Sequence, residues 1–286
     1  MPGSGTRRGS QQDSTQEAAR SGVLDLLARA EGFYCSLMQH ASAATSAPGG
    51  AELGLGGRLV YAGELDALGR ALVLAGNVAG TATLTATADA TAQKQAIRDG
   101  VVDFLVTSLD EALRILKNEI RKCEPVAVCV GASAAAVERE MVARGVQPDL
   151  LAEVDGELRG AALVSPDARK IAAAPVMPEE AWLAWSVTEM TALWMPKLDA
   201  MALVCLSEQE QTARRWLRHA PRYGSRLARG VRVLRCRPQA AQAFVERVRE
   251  AVSRGELGAP VWTSLRLGGE LFAIEWKPLA VPENAG

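Results

Sequence analysis

From Gly57 to Leu151, apolar runs of strand length alternate with stretches of helical spacing, and this rhythm constrains the fold more than any other feature of the 286 residues. Strand-length runs fall near Arg58 to Ala62, Thr81 to Thr87, Val101 to Val106 and Val126 to Val130. Between them, Leu65, Leu68, Leu72 and Ala75 recur on one helical face. Such alternation predicts a Rossmann-like α/β fold, a parallel sheet with helices on both faces. Pro148 follows a helix ending near Gly145, and Leu150–Leu151 opens a fifth strand.

The first strand-to-helix turn is where such a sheet binds phosphate. A dinucleotide needs glycines there, so that the backbone turns tightly and offers helix N-terminal N–H groups to the pyrophosphate. In RLVYAG followed by ELDALGRALVLAGNVAG only Gly63 and Gly69 remain in the turn. Glu64 and Asp66 put negative charge beside it. Two readings follow: the carboxylates oppose a phosphate held there, or they cap the helix and the turn holds none.

Three stretches together resemble the central Rossmann-like domain of the urocanases: GELDALGRALVLAGNVAG (Gly63 to Gly80), VVDFLVTSLDEAL (Val101 to Leu113) and VAVCVGASAAAVEREMVARGVQPDLL (Val126 to Leu151). The resemblance implies a Rossmann-like domain and NAD as cofactor, used in that family as an electrophile that accepts the imidazole of the substrate. It implies Gly63, Gly69, Asp89 and Gly131 as cofactor-binding positions. The family's ribose-binding acidic residue falls on Thr87, with Asp89 the nearest carboxylate. AEVDGELRG (Ala152 to Gly160) stands where the family has a TDQTSAHD-like stretch, and no YGNNIR-like segment occurs. Catalytic residues are therefore not identified. One reading is a urocanase-related protein that binds NAD or another nucleotide without urocanate hydratase activity; were it an enzyme, it would be an NAD-dependent lyase. The alternative is a non-catalytic structural or regulatory paralogue that meets itself or an acidic partner through an arginine-rich surface.

A net charge of −1 gives no general attraction to nucleic acid or anionic membrane. No apolar stretch approaches the roughly 18 residues of a membrane span, so a soluble, cytoplasmic protein is expected. Met1 to Gly22, poor in large apolar residues, reads as a disordered tail. Residues 23–174 read as the Rossmann domain with an N-terminal helix over Val23 to His40 and a linker over Ala41 to Gly50. Residues 175–286 read as an α/β or α+β extension. It carries helices over Pro175 to Lys197, Glu208 to His219 and Gln239 to Ser253, strands over Met201 to Leu206 and Val231 to Leu234, and a hairpin about Gly268–Gly269.

Chemistry-bearing clusters are few. Nine arginines crowd Arg214 to Arg237 without an acidic residue, suited either to an anion or to a solvated face. Trp182, Trp185 and Trp194 stand at spacings that suit core packing better than a stacking pocket. His40 and His219 lack partners for a metal site, Ser133 is in no nucleophile elbow, and the five cysteines, with no CxxC pair, read as reduced core residues.

Overall fold

A computed structural model describes residues 6–44, 54–224 and 226–277, with side chains of the first helix described over 20–41. That helix, α1 (Thr6–Ala44), buries Leu27, Ala30, Tyr34, Leu37 and Ala41 along one stripe. Composition predicts disorder over Met1 to Gly22, yet residues 6–22 are helical. A helix nucleated by its packed second half adds residues cheaply, and no proline interrupts this stretch. The expected linker likewise begins as helix, through Ala44; residues 1–5 and 45–50 lie outside the described residues.

The alternating segment folds as its periods dictate. In chain order it forms β1 (Leu59–Glu64), α2 (Ala67–Ala79), β2 (Ala82–Ala86), α3 (Ala90–Asp99), β3 (Phe104–Val106), α4 (Leu109–Lys122), β4 (Val126–Val130), α5 (Ala134–Ala143) and β5 (Leu150–Val154). The five strands pair in parallel in the order β3-β4-β2-β1-β5. A two-residue strand, β6 (Glu157–Leu158), folds back on β5, and β7 (Arg169–Ile171) joins β5 in parallel, completing a seven-stranded sheet. Alternate β1 residues enter opposite cores. Val60 and Ala62 join the apolar cluster that holds α1 and α2, whereas Leu59 and Tyr61 join the one that holds Leu116 of α4 and Met141 of α5. The third strand is shorter than expected, because Val101 and Val102 pack in the connection before it.

The C-terminal half comprises β8 (Ala181–Val187), α6 (Thr191–Cys205), α7 (Gln211–Gly224), β9 (Val231–Cys236), α8 (Pro238–Ser253), β10 (Val261–Leu267) and β11 (Glu270–Trp276). Its sheet runs β11-β10-β8-β9, all antiparallel, so the extension is α+β. The Gly268–Gly269 hairpin forms as expected. Two expectations fail. The stretch read as a helix over Pro175 to Lys197 holds strand β8 in its middle and is helical only from Thr191, where α6 begins, and Met201 to Leu206, read as a strand, is the end of α6 and the residue beyond it. Trp182 and Trp185 are three apart, which suits a helix, but pairing along the whole of β8 on both edges outweighs local spacing. Short apolar runs such as Met201 to Leu206 fit either state. One apolar cluster joins the α1–α2 side of the Rossmann sheet to β8, β9, α7 and α8.

Candidate nucleotide crevice

The chain moves outward from β1 through β2 and returns beside β1 with β5, so the C-terminal end of β1 lies at the reversal where open α/β sheets take ligands. Gly63, Gly69, Asp89 and Gly131 all come to this edge, at the ends of β1, β2 and β4 and in the first turn of α2. The register between β1 and β2 slips between Tyr61 and Gly63, and Gly63 takes φ 70° with its carbonyl accepting from Thr85 Oγ1 at 2.9 Å. This left-handed turn aims the following residues over the sheet edge.

What fills that edge is the protein itself. Asp66 is the N-cap of α2, its Oδ1 accepting from the Gly69 N–H at 2.7 Å. Arg159, just beyond β6, grips both carboxylate oxygens of Asp66 at 3.0 Å and donates to the Glu64 carbonyl at 2.9 Å. A side chain at Gly63 would begin 3.0 Å from Arg159 Nε, so the guanidinium lies directly over the turn. The Glu64 carboxylate reaches across the crevice and accepts from the Ala134 N–H at the start of α5, at 3.4 Å. Burial is the largest influence on Asp66 and pushes its carboxyl up. The Arg159 guanidinium and the N–H groups of Gly69 and Leu68 outweigh it and hold the group below the usual carboxylate range.

The other expected positions are also engaged. Gly69 lets the first turn of α2 close onto β1, because a Cβ there would run into the Glu64 carbonyl oxygen. Asp89 caps α3 by accepting from the Thr91 N–H at 2.7 Å, so its carboxylate serves the helix. Thr87 is buried, and its carbonyl accepts from Gln93 Nε2 at 2.8 Å. Gly131 donates to the Val106 carbonyl at 2.8 Å, with Gln93 close against it. Tyr61 donates to Glu138 Oε1 at 3.0 Å on the far face, where burial pushes its phenol strongly up.

Sequence reasoning missed Arg159. Its signal was the Asp155–Gly156 pair, which adopts φ 51° and 82° and so marks a tight hairpin returning the chain to the crevice. The arginine-rich stretch divides, with Arg218, Arg222, Arg226, Arg229 and Arg237 exposed, Arg214, Arg215 and Arg232 half-buried and Arg235 buried. Arg214 donates to the carbonyls of Leu203 and Leu206, Arg215 to Val78, Arg226 to Arg98 and Arg235 to Ala174 and Pro175, while Arg232 pairs with Asp199. Trp185 is buried against Phe244 at 4.8 Å between ring centres. Trp182 lies near the Arg266 guanidinium and Trp194 beneath the Lys197 ammonium. All five cysteines are free, and Cys123 is exposed rather than buried. Among the described residues no group of three His, Cys, Asp or Glu side chains is placed to hold a metal, and no helix is long and apolar enough to cross a membrane.

Sheet order, crossover helices and the glycine turn at the reversal define a Rossmann-like α/β protein. Residues 31–155 match the family model described as the urocanase Rossmann-like domain, so the likeness read from the three sequence stretches holds over this segment. The match begins within α1 and ends in the β5–β6 turn, leaving the antiparallel sheet outside it.

Proposed function

We propose that this chain carries a urocanase-type Rossmann-like domain that has given up NAD-dependent hydratase chemistry and serves a non-catalytic, structural or regulatory role. The observation that carries this reading is the Asp66–Arg159 clasp on the N-terminus of α2. A pyrophosphate needs those N–H groups and the space above Gly63. Here an aspartate accepts the first, a guanidinium covers the second, and Glu64 faces the neighbouring helix N-terminus. The residues present do not fit the phosphates of NAD. A clamp built of the protein's own charges replaces the ligand with a permanent internal counterpart.

The test is titration calorimetry of the full chain with NAD⁺, alongside loss of urocanate absorbance with NAD⁺ added. Neither saturable heat nor depletion of urocanate is expected. Glu64→Gly with Asp66→Gly is expected to lower stability without creating NAD⁺ affinity. Micromolar NAD⁺ binding by the wild-type protein would overturn the reading. Docking of an acidic partner, the other reading, would fall to the exposed Arg218, Arg222, Arg226, Arg229 and Arg237, since Arg214, Arg215, Arg232 and Arg235 are committed to internal carbonyls and carboxylates.

A further inference from the structure

A second concavity, of about 420 Å³, opens at the opposite edge of the parallel sheet from the crevice, where Gly56 leads into β1, Gly80 into β2 and Pro125 into β4. Helix α7 forms its other wall with Arg215, His219, Arg222 and Tyr223. The first three stand at i, i+4 and i+7, on one face of the helix. Among the described residues lining the concavity, Glu124 is the one carboxylate.

Arg215 is fixed at the floor. Its Nε donates to the Val78 carbonyl at 3.2 Å, and a Cβ on Gly54 or Gly80, both lining residues, would begin 3.2 or 3.3 Å from its Nη2. Glycine at these positions is what admits the guanidinium. The carbonyls of Gly76, Asn77 and Ala79 at the end of α2 accept from the main-chain N–H groups of Gly80, Thr81 and Leu55, so Val78 is the carbonyl left to Arg215. Arg222 is exposed, with its guanidinium carbon 5.3 Å from the centre of the Tyr223 ring. The Tyr223 phenol places the two guanidinia together. Burial raises it most, Arg222 and Arg215 both pull it down, and Asp103 and Glu124 push it up. Of these carboxylates Asp103 is tied to the Ala127 N–H at 2.8 Å, and Glu124 is exposed. Like charges that converge from one helix face repel, and an anion between them removes the repulsion.

We propose that this concavity binds a small phosphomonoester, its phosphate between Arg215 and Arg222 on the wall that carries His219, and its organic part against Tyr223 and Pro125. A phosphomonoester carries close to two negative charges at neutral pH and three strong acceptor oxygens, which guanidinium forks match in pairs. A volume of about 420 Å³ falls within the roughly 300–1,000 Å³ of small-molecule sites. The exposed thiol of Cys123 lines the same concavity, so a bound ligand covers it.

The test is calorimetry of the full chain at constant ionic strength with phenyl phosphate, inorganic phosphate and phenol. Saturable binding of phenyl phosphate is expected, with weaker binding of inorganic phosphate and none of phenol. Iodoacetamide labelling of Cys123, followed by peptide mass spectrometry, is expected to slow when phenyl phosphate saturates the protein. Arg222→Gln, at an exposed position, is expected to weaken binding about tenfold or more and to restore the labelling rate. Arg229→Gln, exposed but not among the lining residues, is expected to change neither, with circular dichroism showing both variants folded. Four results would overturn the assignment: no binding of phenyl phosphate at millimolar concentration, equal affinity for inorganic phosphate, Cys123 labelling indifferent to saturating ligand, or equal weakening by Arg229→Gln.

Discussion

Replacing Asp66 separates two contributions to the clasp. Asp66→Ala removes the N-cap acceptor of α2, a loss of about 0.5–2 kcal/mol, and with it the bidentate pair to Arg159. Arg159 is 14% exposed at its side chain and Asp66 52%. The carboxylate end is thus open to screening, and the pair is worth no more than about 0.2–1 kcal/mol. The expected total is about 1–3 kcal/mol. Asp66→Asn keeps an acceptor oxygen for the Gly69 N–H and loses only the charge, so it is expected to lower stability by under about 1 kcal/mol. Urea unfolding of the full chain, followed by circular dichroism and tryptophan fluorescence, reads the difference as a shift in midpoint at constant slope. A double-mutant cycle with Arg159→Ala isolates the pair itself. Because the Asp66 carboxyl lies below its usual range when folded, its stabilisation is present above the unfolded value of about 3.9 and is lost as pH falls through the lower folded value. An Asp66→Asn loss equal to that of Asp66→Ala, or a cycle with no coupling, would refute the clasp as drawn.

Gly69→Ala ordinarily favours a helix by about 1 kcal/mol. Here the added methyl meets the main-chain oxygen of Glu64, and a net loss of about 1–3 kcal/mol is expected as a lower urea midpoint; a higher midpoint would contradict the close approach. For Glu31 burial lifts the folded carboxyl to about 7, above its ordinary value of 4.5, so its stabilisation is complete below about 4.5 and declines as pH rises toward and past 7. The span corresponds to on the order of 3 kcal/mol, and Glu31→Gln is expected to remove most of the fall in stability between pH 5 and 8. A variant whose pH profile matches the wild type would show that Glu31 is ionised throughout.

The parallel sheet was legible because both of its periods are local. Leu59 to Glu64 alternates between two cores, and Leu65, Leu68, Leu72 and Ala75 recur at helical spacing, so pattern alone places them. Strand β8 was not legible, because Trp182 and Trp185 satisfy a helical spacing and only the antiparallel neighbours β9 and β10 reveal that they lie on opposite faces. Gly63, Gly69, Asp89 and Gly131 reach the expected edge. What occupies that edge comes from Arg159, more than ninety residues beyond Asp66, and contact across such a separation leaves no periodic trace. The buried pairing of Glu31 with the Arg235 main chain spans 204 positions and was invisible for the same reason.

α1 packs against α2 on one side and against β9 and α7 on the other. It is a tie beam shared by two sheets, and the region matched by the urocanase Rossmann-like model starts partway along it, at residue 31. A fragment cut at that boundary would lose Leu27 and Ala30 from the buried stripe and, if it also ended at residue 155, would leave Tyr34 without Thr212 and Trp216 of α7. The limits of the matched segment and the limits of what can fold alone do not coincide. The second sheet is then less an appendage than the other abutment of the same span.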